Sequence, residues 1–493
     1  MEITMITNSH EESEYSVTSR FDQDLLVKDV LKSLEREYFP EFDKQGGDSS
    51  SCSPLSPLSC CSDFAVLYQT DFPKYMHDHP LAEQSFDVHA VRRDFPILSE
   101  KINGKNLVWF DNAATTQKPR SVIDRIKYFY EHENSNVHRA AHTLAARTTD
   151  AYEGARSKAA AFLNAMNSDE IVFVRGTTEG INLVTQAYAL NSLSVDDEIL
   201  LSLLEHHANI VPWQMVCNRT GAKIKVIPVD DSGQIDLVAY KKQLSVKTKI
   251  VAFTHVSNAL GTLTPAAEMV RMAHQCGAKV LIDGAQAVAH QKVDVQELDC
   301  DFYVFSGHKA FGPTGIGVLY AKAELLHSMQ PYQGGGSMIS DVTFEKTSYK
   351  NPPHRFEAGT GSIADAIGLG AALDYITSIG LTRISEYEHQ LYMHGEEALR
   401  SINGLTFIGN AKGRTSILSF VINNIPPEEI GAVLDQEGIA VRTGHHCAQP
   451  ILRKYGHEST VRVSLALYNT TNEIDFLVSV LRNMTSASHT YLL

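Results

Sequence analysis

Lys309 is the residue of this chain whose setting most invites chemistry. It lies in Asp301–Tyr320, DFYVFSGHKAFGPTGIGVLY. Phe302 to Phe305 read as a buried strand that Ser306-Gly307 ends. His308-Lys309 follows, and beyond the turn residues Gly312-Pro313-Thr314-Gly315 a second strand is expected over Ile316–Tyr320. A protonated lysine is a poor nucleophile, and its ordinary pKa is about 10.4. Desolvation and neighbouring cations lower that value, and lysines so tuned form Schiff bases with carbonyl compounds. On this stretch alone, a surface lysine in a hairpin turn explains the pattern equally well.

Other reactive residue types also stand directly behind apolar runs. Arg175-Gly176-Thr177-Thr178-Glu179-Gly180 opens a helix with small residues and free N–H groups, a cup for phosphate or carboxylate; a plain N-cap is the alternative. It matches neither a Walker loop nor GxGxxG. His206-His207 follow Glu198–Leu203, Asn258 follows Ile250–His255, and Asp283 ends Lys279–Asp283. An acid ending an apolar strand is costly to desolvate unless a cation or donor faces it. Without a glycine fingerprint upstream, the ribose-binding reading of Asp283 fails. A Schiff-base lysine plus a strand-end carboxylate is what pyridoxal phosphate needs, the carboxylate keeping the ring nitrogen protonated. Far downstream, Cys447 sits in the polar loop RTGHHCAQP (442–450), where a reactive thiol is a better reading than an inert one.

The elements that must position these residues alternate. Helices are expected after Pro119 and over Asp150–Asn164, Gly180–Ala189 and Ala266–Cys276, with another through Trp213. Strands are expected over Asn106–Phe110, Ile171–Val174, Glu198–Leu203, Lys223–Pro228, Ile250–His255, Lys279–Asp283 and Asp301–Phe305. Such alternation makes an α/β fold with a mostly parallel sheet, whose ligand sits at the carboxyl ends of the strands.

At 493 residues the chain calls for more than one domain. A net charge of −15 disfavours nucleic acid as a partner. No apolar run approaches the roughly 20 residues of a membrane span, and no signal or transit peptide is recognisable, so a cytoplasmic protein is expected. The seven cysteines support neither a zinc site nor a disulfide framework. Residues 1–80 are of a different kind, with 15 acidic against 6 basic residues. Ser19 is placed to cap an amphipathic helix over Phe21–Tyr38 that Pro40 ends, and residues 49–62 hold seven serines in a linker-like run.

From about Phe86 to Arg482 the chain closely resembles the SufS-type cysteine desulfurases, pyridoxal-phosphate enzymes of the class V aminotransferase group. The resemblance rests on DNAATTQKP (111–119), NVHRAAHTL (136–144), RGTTEGINLV (175–184), EHHANIVPWQ (205–214), SNALGT (257–262), DGAQA (283–287), SGHKAFGPTGIGVLY (306–320), RFEAGT (355–360) and RTGHHCAQP (442–450). It implies fold type I: a large domain (111–374) with a mostly parallel seven-stranded sheet between helices, and a smaller α+β domain from 86–110 and 375–493. It implies Lys309 as the cofactor-holding lysine, Asp283 on the ring nitrogen, His206 stacked on the ring and Gln286 on its phenolic oxygen. Thr177, Thr178, Ser306 and His308 would hold the phosphate, with Thr360 of the partner subunit reaching in across a homodimer. Asn258 and Arg462 look like the substrate-carboxylate pair, with Arg442, His138 and Arg139 near the entrance; an ordinary salt bridge is the alternative for Arg462. Cys447 would take sulfur from L-cysteine as a persulfide and release L-alanine, with His445 or His446 helping to maintain its thiolate.

The short region around Cys447 resembles the group unloaded by a small acceptor protein of SufE or SufU type. Selenocysteine lyase, cysteine-sulfinate desulfinase or another class V enzyme is the alternative chemistry, and a catalytically idle scaffold the alternative class. The extension 1–80 departs from the family. It packs on its own domain, or docks onto another protein, or directs loading into an encapsulin-type shell as cargo. Sulfur acceptance by Cys52, Cys60 or Cys61 ranks below these, because the segment is acidic.

Overall fold

The computed structural model describes residues 86–137 and 142–490. The amphipathic helix, the serine-rich run and the three N-terminal cysteines fall outside them, as do His138 and Arg139.

Seven strands form the main sheet: β1 Ile171–Val174, β2 Glu198–Ser202, β3 Lys223–Ile227, β4 Thr248–Thr254, β5 Lys279–Asp283, β6 Phe302–Ser306 and β7 Gly317–Ala321. Their spatial order is β1-β7-β6-β5-β4-β2-β3. β7 runs antiparallel to both neighbours, and the other pairings are parallel. The strands are near-continuous apolar runs because both faces are covered. Alternate residues divide accordingly. Leu200, Val251, Phe253, Val280, Ile282, Tyr303 and Phe305 enter one core, which also takes Ala155 and Ala159 of helix Thr143–Leu163 and Leu369 and Leu373 of helix Ile363–Ile379. Ile199, Leu201, Ile250, Ala252, Leu281, Phe302 and Val304 enter the other, with Ile181 of helix Thr177–Val184 and Trp213 of helix Val211–Thr220.

A smaller α+β unit follows. Leu405–Phe407, Ile417–Ile422, Thr460–Ser464 and Arg442–Gly444 pair antiparallel in that spatial order. Helices Leu381–Arg400, Pro427–Gln436 and Thr471–Thr490 contribute to its separate core. Val108–Trp109 pairs in parallel with Ile439–Ala440, tying the start of the described chain to this unit. Together these elements make an α/β fold of the type I pyridoxal-phosphate class.

The expected elements occur, with local differences. Asn106–Phe110 splits into the two-residue strands Lys105–Asn106 and Val108–Trp109. The helix expected from Asp150 starts at Thr143, because the His142 ring accepts a hydrogen bond from the Ala145 N–H (3.2 Å), an N-cap that few sequence rules would flag. The helix expected over Gly180–Ala189 starts at Thr177, passes through a π-turn at Thr185–Ala189 and runs on over Leu190–Ser192. Among the described residues, no single helix is long and apolar enough to cross a membrane, and no group of three or more His, Cys, Asp or Glu is arranged to hold a metal ion.

Candidate active site

Six strands point the same way, so β2, β4, β5 and β6 end on one ledge, and the candidate residues lie there. Lys309 closes the one-turn segment Gly307–Lys309 directly after β6. Burial pushes its amine down to about 8; Asp283 opposes that shift, and Arg462 and Arg442 add to it. Asp283, 4% exposed, ends β5 in register with Val304 of β6. Burial pushes its carboxyl up, while the Ala285 N–H (2.9 Å) and Lys309 hold it down. His206 follows β2, and its Nδ1 accepts the Ala208 N–H at 3.0 Å. Burial, with Lys309 and other cationic groups, takes it down to about 3, so the ring is neutral and carries its proton on Nε2. Gln286 donates to the Ala113 carbonyl at 2.6 Å, joining the DNAATT loop to the ledge.

Beside Lys309 lies a cup of hydroxyl and N–H groups. Gly176 sits at φ 155°, and a side chain there would press on Ser306 Oγ, 3.1 Å from an added Cβ. A glycine therefore lets the Thr177 N–H reach Ser306 Oγ (2.9 Å), with Thr177 Oγ1 at 2.8 Å from the same atom. Thr178 is exposed at the helix start and His308 half-buried. Burial, Lys309 and Lys118 push the His308 imidazole down to about 4. Lys118, itself pushed down to about 8 by burial, donates to the His308 carbonyl at 3.1 Å, as do the hydroxyls of Thr115 (3.0 Å) and Thr116 (3.2 Å). Nothing in the sequence pattern singled out Lys118: besides the nearby Thr116 carbonyl and Thr115 hydroxyl, its partner is the His308 carbonyl, 190 residues away. Thr360 is exposed and accepts a hydrogen bond from Asn136 (3.4 Å), with no hydrogen bond to the cup among the described residues.

The smaller unit supplies the other wall. Arg462 and Arg442 stand directly opposite each other on neighbouring strands. Like charges so placed repel unless an anion sits between them. Arg462 is 1% exposed; it donates to the Asn258 carbonyl (3.0 Å) and to Asp111 Oδ1 (3.0 Å), and its Nε has no partner. Burial takes it down to about 10, with Asp111 opposing and Arg442 adding to the shift. An unpaired guanidinium N–H at a charged, closed surface suits a carboxylate.

Arg442 Nη2 lies 3.9 Å from Cys447 Sγ. The Cys447 loop is held in an uncommon conformation, with His446 at φ 52° and Cys447 at φ 56°. Its braces are the Cys447 N–H to His445 Nδ1 (3.0 Å) and the His207 N–H to the Cys447 carbonyl (2.8 Å). The half-buried thiol thus hangs from the segment that carries His206. His446, one of the two candidates for maintaining the thiolate, is neutral. Its Nε2 faces Thr460 Oγ1 (2.8 Å), and burial with Arg462 and Arg442 drives it down to about 2. Arg442 is one positive group near the sulfur, and Lys309 and Arg462 also feel its charge. Asn258 donates to the His446 carbonyl (2.7 Å), linking the β4 end to the same loop.

The class-V aminotransferase family matches residues 108–477. The chain belongs to that family. It is 59% identical over 425 residues to a cysteine desulfurase of Synechococcus elongatus, covering 86% of this chain and 68% of that one. A cysteine desulfurase of Escherichia coli O8 is 50% identical over 401 residues, 81% of this chain and 98% of that one. The crystal structure of the Escherichia coli cysteine desulfurase CsdA, in an S-sulfonic acid form, superposes with a TM-score of 0.77 at 38% identity, covering 82% of this chain and all of that one. The chain is thus a member of the cysteine-desulfurase family and a pyridoxal-phosphate enzyme. The residues present fit that cofactor. A partly neutral lysine amine, a desolvated carboxylate, a flat neutral imidazole and a hydroxyl cup suit its aldehyde, ring nitrogen, ring face and phosphate.

Proposed function

We propose that the protein is an L-cysteine desulfurase of SufS type, with Cys447 as the sulfur-accepting residue. The observation that carries this reading is the placement of Cys447 Sγ beside the Arg442 guanidinium, in a loop braced by the His206-His207 segment. Lys309 would bind the cofactor and, as free amine, take the Cα proton. When bound, pyridoxal phosphate supplies an electron sink. Arg462, with Asn258, would hold the substrate carboxylate through the unpaired Nε, and Asp283 would keep the ring nitrogen protonated. His206, carrying its proton on Nε2, can hand it to a leaving or returning group. The Cys447 thiolate would attack the substrate sulfur, so that an S–S bond forms as the carbon–sulfur bond breaks. The electron pair of that bond goes to carbon, which protonation converts to alanine.

Shielded on a short braced loop, the persulfide would pass to a small acceptor protein of SufE or SufU type, for iron–sulfur cluster or other cofactor assembly. The exposure of Thr360 supports a homodimer in which a second copy completes the phosphate site. His138 and Arg139 belong to the entrance in this reading, and the extension 1–80 is an address or docking element, a shell among its candidate partners. The test is Cys447→Ala. It should abolish alanine and sulfide formation from cysteine while the yellow cofactor stays bound; unchanged turnover with cysteine would refute the proposal.

A further inference from the structure

Directly before His206 stands a buried acid with no part in the chemistry above. Glu205 is fully buried. Its Oε1 accepts the Thr254 N–H (2.9 Å) and the Ser202 hydroxyl, and its Oε2 accepts Asn209 Nδ2 (2.6 Å). Two of these donors cannot turn. The Thr254 N–H belongs to β4, and the Asn209 amide is oriented by Trp213 Nε1, which donates to Asn209 Oδ1 at 2.8 Å. The same Asn209 closes the turn that bears the imidazole, its N–H donating to the His206 carbonyl at 2.8 Å. Thr254, in turn, pairs in register with Asp283. One carboxylate therefore ties the His206 turn to the ledge that carries Asp283. Burial pushes the Glu205 carboxyl up to about 8, with its three donors opposing, so both oxygens are free to accept once the pH passes that value. Such a carboxyl is costly to keep dry unless its contacts repay it.

We infer that Glu205 is a positioning residue, whose two acceptor oxygens set the height and tilt of the His206 ring over the cofactor. The inference rests on the pyridoxal-phosphate reading of the ledge but not on which substrate is used. Glutamine cannot replace it, because its NH₂ would confront either the Thr254 N–H or the Asn209 amide. Aspartate is one methylene too short to reach both.

The experiment uses the holoenzyme at about pH 9, where Glu205 is ionised, and reads visible circular dichroism per bound cofactor, which reports how the ring is held. Glu205→Gln should lower that signal about twofold or more, since active groups need placement to roughly 0.5 Å. The loss should vanish in a His206→Ala background. It should be at least half restored by Trp213→Phe, which frees the Asn209 amide to turn its oxygen toward the glutamine. Should Glu205→Gln not yield folded holoenzyme, Asn209→Ala is read instead, because it cuts the same link and should lower the signal while sparing it in the His206→Ala background. A wild-type signal in the variant, or a loss that persists undiminished without His206, overturns the inference. Wild-type protein that holds cofactor but makes no alanine overturns the desulfurase reading alone.

Discussion

Gly284 sits immediately after Asp283, and the structure makes a steep prediction about replacing it by alanine. A Cβ built there would lie 2.1 Å from Cε1, 2.2 Å from Cζ and 2.3 Å from the hydroxyl of Tyr303. Carbon atoms in contact rest about 3.5–4.0 Å apart, so the ring or the strand end must yield by more than about 1 Å. The ring has nowhere to go. Tyr303 is fully buried, and its hydroxyl lies 3.0 Å from His255 Nδ1. Overpacking costs about 1–3 kcal/mol, and losing the Tyr303–His255 bond about 1 kcal/mol more. Gly284→Ala should therefore lose about 2–4 kcal/mol in urea unfolding and loosen cofactor binding, because Asp283 moves with its neighbour. Tyr303→Val provides the control, since it removes the ring, and alanine at 284 should then cost at least about 1 kcal/mol less. A Gly284→Ala protein within about 0.5 kcal/mol of wild type, or an equal penalty in both backgrounds, would refute the steric argument.

Lys309, titrating near 8, is about one-tenth free amine at pH 7, whereas an ordinary lysine is below about one part in a thousand. The neutral amine is the reactive form, so uptake of pyridoxal phosphate by the apoprotein should rise about fivefold from pH 7 to 8 and less than about twofold from 8 to 9. A tenfold rise per unit up to pH 10 would show an ordinary lysine. Arg462→Lys keeps the charge but loses the forked donors, and should lower kcat/KM for cysteine by about 10–100-fold, chiefly through KM, with the cofactor retained; an unchanged KM would remove Arg462 from carboxylate binding. Glu357 accepts from both terminal nitrogens of buried Arg156 (2.6 and 2.8 Å), from the Phe173 N–H (2.8 Å) and from the Tyr152 hydroxyl (3.1 Å). Arg156 keeps Glu153 (2.8 Å) as a counter-charge, so Glu357→Gln should cost about 1–3 kcal/mol by setting an amide donor against these N–H groups, and a thermal melt like wild type would show the network to be dispensable.

Much of the ledge was legible in the sequence. β1 ends where the apolar run meets Arg175-Gly176, and β5 ends on the acid Asp283. Turn chemistry is local, so Gly176, Gly284 and the Ser306-Gly307 pair marked their own positions. Less local signals misled by a few residues. Helix Thr143–Leu163 begins at a histidine cap, and the single strand expected over Asn106–Phe110 breaks into two. Glu205 announced itself only as the residue before His206, although a buried acid at a strand end is the same signal that made Asp283 conspicuous.

Residue type and period in the sequence alone determined the alternating strands and helices and the candidate lysine, carboxylate, histidine and cysteine. Tertiary structure decided how those groups meet. Arg442 and Arg462 face each other only because two strands of the smaller sheet pair in one register, and a slip of one residue would turn Arg462 to the other face. The Cys447 carbonyl receives the His207 N–H across the two units, and His446 loses its charge to burial while His445, next to it, stays exposed. Period and turn propensity act over a few bonds and so can be read along the chain. Register, desolvation and the field of distant charges depend on what folding brings alongside, and they tune Lys309 toward neutrality and place a guanidinium beside Cys447.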